Sequence, residues 1–120
     1  MRLDHDFVRI LLKKINEVQW DGGYHDLYIE NRPDRTMSLY IMLLDQAGLI
    51  EAVDYSTHDL MCWRAKWLTE AGQQFLRTAR NEKCWERAKT LIRKSHRKFT
   101  MEALKQALPR ARMATTRRRP

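Results

Sequence analysis

The chain has 120 residues, 43% of them hydrophobic and 32% charged, with a formal net charge of +8. This allows one modest core with a short appendage, and the apolar share suits a folded domain. No apolar run approaches the roughly 20 residues that cross a bilayer, two cysteines (Cys62 and Cys84) are too few to staple a secreted domain, and the start, Met1-Arg2-Leu3-Asp4-His5-Asp6, is acidic where a signal peptide is basic, so the cytosol is the expected compartment.

Phe7, Val8, Leu11, Leu12, Ile15 and Val18 recur at helical spacing and predict a first helix over 4–18, with Asp4 as its N-cap. Asp21-Gly22-Gly23 ends it, and bulky residues over 24–29 predict a short strand. Pro33 breaks the chain and Asp34 can cap a second helix over 35–47. Gly48 follows that helix at the position that favours a left-handed C-cap, with Leu49 and Ile50 as its apolar contact. Residues 51–55 and 61–68 predict two strands around Ser56-Thr57-His58-Asp59. In the second of them, Met61, Trp63, Ala65 and Trp67 share one parity, and Arg64 and Lys66 the other, as in a half-buried antiparallel strand.

Thr69 and Asn81 are expected to cap a third and a fourth helix, the latter with Trp85, Ala88 and Ile92 inward. Thr100 caps a short last helix with Met101, Leu104 and Leu108 inward, and Pro109 is expected to end it. Residues 110–120 hold five arginines and little apolar bulk, and are expected to be disordered alone. The order predicts an α+β, mainly α fold. A winged-helix-like body over 1–68 (helix, strand, helix, two-stranded wing) is followed by C-terminal helices over 69–108, packed on the body, and a basic tail over 109–120. The strands together would make a short three-stranded sheet.

Charge divides along the chain. Residues 1–76 hold 8 Lys/Arg against 12 Asp/Glu, whereas residues 77–120 hold 15 against 3. A mildly acidic body with a very basic last third points to an anionic partner, nucleic acid or an acidic protein face.

Ser38-Leu-Tyr-Ile-Met-Leu-Leu-Asp-Gln-Ala-Gly-Leu-Ile50 resembles the recognition-helix segment of bacterial winged-helix regulators. Three stretches widen the resemblance: the opening Leu3 to Leu12, Leu43 to Ile50, and Leu68-Thr-Glu-Ala-Gly-Gln-Gln-Phe-Leu76. With Trp85 and its basic helix, they make the chain similar to domain-of-unknown-function family 2513, small bacterial and prophage proteins, over roughly residues 3–108. The resemblance implies a winged-helix-like fold and a mobile-element setting, and brings no activity, cofactor or catalytic residue. The family's wing typically turns through Gly or Pro, where this chain has Ser-Thr-His-Asp.

Two binding functions follow, and no enzyme. If Ile41, Leu44 and Ala47 face inward, the second helix shows Met37, Ser38, Leu39, Met42, Asp45 and Gln46, a poor set for base edges. Only Arg35 and its neighbours Arg32 and Thr36 suit phosphates there. Nucleic acid would instead be held by Arg87, Arg93, Lys94, Arg97 and Lys98 of the basic helices and by the terminal Arg117, Arg118 and Arg119. The alternative is a protein-interaction module docking through Met37, Leu39 and Met42 on a host or phage protein complex, for example a defence system, or pairing as a homodimer through its C-terminal helices. No cofactor or metal is expected. His5, His25, His58 and His96 are scattered, and His58 with Cys62 lacks a second ligand pair. Asp4, His5 and Asp6 read as capping and dipole matching.

Overall fold

The computed structural model describes residues 3–17, 34–95 and 100–116. Helix α1 spans His5–Glu17. Asp4 caps it, its carboxylate accepting the Phe7 N–H at 3.2 Å. Phe7, Val8, Leu11, Leu12 and Ile15 are buried as their spacing predicts. Helix α2 spans Asp34–Gln46, and Tyr40 joins it to α1. The Tyr40 hydroxyl accepts the Asp4 N–H at 2.9 Å, and its ring meets Phe7 edge-on at 4.7 Å. The strand predicted over 24–29, and hence the three-stranded sheet, lies outside the described residues.

α2 ends in a Schellman motif. Gly48 has φ of 79°, Leu49 N–H reaches the Leu44 carbonyl, and Gly48 N–H reaches that of Asp45, each at 3.0 Å. Leu44 and Leu49 are both buried, the apolar contact that accompanies such an end. The next orphan carbonyls are taken by later segments. Lys105 Nζ donates to Ala47 at 2.7 Å, the Thr69 hydroxyl to Gly48 at 2.6 Å, and the Thr69 N–H to Leu49 at 3.0 Å. One helix end thus gathers segments distant in sequence.

Strands β1 (Ile50–Asp54) and β2 (Trp63–Leu68) pair antiparallel. Glu51 faces Trp67 but Ala52 faces Ala65, so Lys66 is the extra residue of a bulge. The extra residue shifts the parity expected for β2: Ala65 and Leu68, three apart, are its buried residues. Ser38 accepts the Trp63 N–H at 3.0 Å and Asp45 accepts the Ala52 N–H at 3.2 Å. One side of α2 is therefore covered by the wing.

Helix α3 (Glu70–Ala79) starts at Thr69, which accepts the Gly72 N–H at 3.1 Å. Helix α4 (Glu82–Lys94) starts at Asn81, which accepts the Cys84 N–H at 3.1 Å. Trp85, Ala88 and Ile92 are buried as expected. Helix α5 spans Met101–Thr116 with Thr100 as its cap. It runs through Pro109, which the sequence reading took as its end, and so includes part of the expected disordered tail. Pro109 is exposed, while Ala103, Leu104, Ala107, Leu108 and Ala111 form a buried stripe across it. Packing of that stripe on α3 and α4 outweighs the roughly 3 kcal/mol that a helix-interior proline costs. Among the described residues, no helix is long and apolar enough to cross a membrane. Neither Cys62 nor Cys84 is in a disulfide.

Candidate nucleic-acid interface

The basic last third of the chain is organised by the contact of α4 with α1. Trp85 is 0% exposed, and its indole N–H donates to Asp6 Oδ1 at 2.7 Å. Lys89 Nζ lies 3.2 Å from the same oxygen and 3.2 Å from Glu86. Arg9 stacks 5.0 Å over the Trp85 ring and pairs with Glu82 at 2.9 Å. The Trp85 N–H, and then Lys89, hold the Asp6 carboxyl below the usual carboxylate range. Asp4 is the cap that the sequence predicts, whereas Asp6 bridges two helices.

Glu82, paired with Arg9 of α1, and Glu86, paired within α4 with Lys89, are two of the three acidic residues after position 76. The cations Lys83, Arg87 and Lys94 lie elsewhere. Spaced i, i+4 and i+11, they form a stripe on another face of α4. Among the described residues, the ion pairs on α4 are those of Glu82, Glu86 and Lys89. At the Lys94 end of this stripe α4 and α5 enclose an open groove. Leu91, Ile92, Ala103 and Ala107 line it with aliphatic side chains, and Lys94 and Arg110 add charge from the two helices.

The sequence-predicted cations therefore separate. Arg87 and Lys94 join the stripe. Arg93, one residue before Lys94, is exposed but turned about 100° from it. Arg97, Lys98, Arg117, Arg118 and Arg119 lie outside the described residues. Arg35 is exposed at the start of α2, where it lines a separate concavity with His58, Leu60 and Trp63. Arg110 was missed because the helix was ended at Pro109. The spacing of Ala107, Leu108 and Ala111 is the signal that carries the helix onward.

The protein-contact set needs a correction. Met37 is 3% exposed and Ser38 is buried, because α2 packs against α1 through Tyr40 and against the wing through Ser38 and Asp45. Leu39 and Met42 are half-buried, and the outer edge of α2 consists of Arg35, Leu39, Met42, Leu43 and Gln46. That edge offers no cluster of groups for base edges.

Among the described residues, no group of three or more His, Cys, Asp or Glu side chains could hold a metal ion. His5 is buried, and burial pushes its pKa below the usual value, against the opposing effects of a hydrogen bond with the Thr100 backbone and of Asp6 and Asp4. A lowered folded-state pKa means that the unfolded chain binds the proton more tightly. The stabilisation is complete above about pH 6.5 and is lost as pH falls from there through the folded value. Denaturant midpoints of the wild type should therefore drop between pH 7.5 and 5.5, and His5→Leu should flatten that drop. An equal drop in the variant would place the titration elsewhere. The Asp6 contribution is kept until pH falls below about 4, so the two windows are separate.

The profile of the hypothetical-protein family DUF2513 matches residues 2–98. An uncharacterized protein of Haemophilus influenzae is 34% identical over 107 residues, covering 88% of this chain and 91% of the relative. No solved structure is significantly similar to the chain.

Proposed function

The chain belongs to the DUF2513 family, and on that premise we propose that it is a non-enzymatic, cytosolic, phage- or prophage-type nucleic-acid-binding protein whose α4–α5 face holds phosphates. The observation that carries this reading is the sorting of charge on α4. Glu82 pairs with Arg9 of α1 and Glu86 pairs within α4 with Lys89, which itself reaches Asp6 of α1, while Lys83, Arg87 and Lys94 form a single-sign stripe on another face, with Arg110 near its Lys94 end. Arg97 and Lys98 come shortly after α4 in sequence, and Arg117, Arg118 and Arg119 after α5, so the sequence adds further positive charge after both helices. Such a surface attracts a polyanion and releases its counterions on contact.

A second reading, a protein contact on the outer edge of α2, draws on the half-buried Leu39, Met42 and Leu43. It lacks Met37, which is buried.

Titration of a fluorescent duplex distinguishes them. With about four phosphate contacts, affinity should fall roughly 100-fold between 50 and 200 mM salt. Absence of binding at 50 mM salt would exclude the nucleic-acid reading and leave the α2 edge as the better candidate.

A further inference from the structure

We infer that the α4–α5 face takes double-stranded nucleic acid by its phosphates alone, without reading base sequence; the inference rests on the function proposed above. An α-helix with its side chains is about 10–12 Å across, and packed helices lie about 8–10 Å apart. A side-by-side pair therefore presents a front of roughly 20 Å, against a major groove about 12 Å wide. Lys94 of α4 and Arg110 of α5 line the same inter-helix groove, so α5 stands beside the C-terminal part of the cationic stripe. α4 is thereby kept from entering the major groove as a lone recognition helix would, and the pair rests across the backbone.

Base readout needs hydrogen-bonding side chains beyond cations. The two neutral polar side chains that line the groove are already engaged within the protein. Gln106 donates to Glu102 at 3.1 Å, and the Ser95 hydroxyl donates to the Ile92 carbonyl at 2.9 Å. The remaining lining is Leu91, Ile92, Ala103 and Ala107, which supplies no ring for an unpaired base to stack on. Lys83 and Lys94 stand eleven residues apart, about 16 Å along the helix axis, long enough for the stripe to reach more than one phosphate of a duplex. A duplex also has the higher charge density, and so gains more than a single strand from a face that offers charge alone.

The test is fluorescence anisotropy of the full chain at 50 mM salt. The probes are three unrelated duplexes of about 20 base pairs and one single strand of equal length. Duplex affinities should agree within about fivefold, with the single strand weaker than all three. A spread beyond fivefold among the duplexes, or a single strand bound as tightly as the duplexes or tighter, would overturn phosphate-only recognition while leaving the nucleic-acid function intact. Failure to bind all four probes would remove that function, and the inference with it.

Discussion

Trp85→Ala should destabilise the fold by about 3–5 kcal/mol, the usual cost of emptying a fully buried aromatic site. Trp85 is 0% exposed and forms the hub between α1 and α4. Its removal leaves a cavity, strips the indole donor from Asp6 and takes away the face on which Arg9 stacks. A single domain has only about 5–15 kcal/mol of net stability, so the variant should be partly unfolded under mild conditions. Trp85→Phe separates packing from polarity. It keeps most of the ring volume and loses the hydrogen bond to Asp6, a charged acceptor, for which about 1.5–3 kcal/mol is typical. Chemical denaturation of the two variants checks the order. Equal losses would mean that the Asp6 bond, rather than the buried ring, dominates the site.

Gly72→Ala should be destabilising by about 3 kcal/mol or more, although alanine favours a helix interior by about 1 kcal/mol over glycine. A Cβ at position 72 would fall on the carbonyl oxygen of Leu49. That oxygen is fixed, because it accepts the Thr69 N–H directly after the Schellman turn. Gly48 is the instructive contrast. Its Cβ would meet open space, and glycine is needed there for φ of 79°, so Gly48→Ala should cost only about 1–2 kcal/mol. A ranking by denaturant midpoint with Gly48→Ala below Gly72→Ala would contradict the close approach of α3 to the end of α2.

These two sites differ in how far they were legible from the residues alone. The Ala47-Gly48-Leu49 helix end is local: the cap, its apolar contact and the start of the following strand are all encoded within a few residues, and the sequence reading located them. The caps Asp4, Thr69, Asn81 and Thr100 were legible for the same reason, since each acts on backbone within its own helical turn. Gly72 was not, because its need is set by Leu49, 23 positions earlier in the chain and joined to it only by tertiary packing. The bulge at Lys66 was hidden similarly, since strand register is a property of the pair. It moved burial from the expected parity to Ala65 and Leu68. Met37 was misplaced because a single inward stripe was assumed, whereas α2 packs on two sides. The end assigned at Pro109 followed a sound local rule, overridden by the apolar stripe that continues to Ala111.

For the candidate site, sequence supplied the charge but not its arrangement. The basic third of the chain was plain from composition. The pairing of Glu82 with Arg9 of α1, and the extension of α5 that brings Arg110 to the groove, are tertiary facts that local sequence does not carry. Arg93 and Lys94, adjacent in sequence and grouped together there, are separated by the turn of the helix.

The most direct measurement of the central claim is the change in backbone amide signals of the full chain as an unlabelled duplex is added at low salt. The account predicts movement concentrated at Lys83, Arg87, Leu91, Lys94, Gln106 and Arg110, with Arg35, Leu39, Met42 and Gln46 of α2 unchanged. Movement along α2 with α4 and α5 unchanged would contradict it.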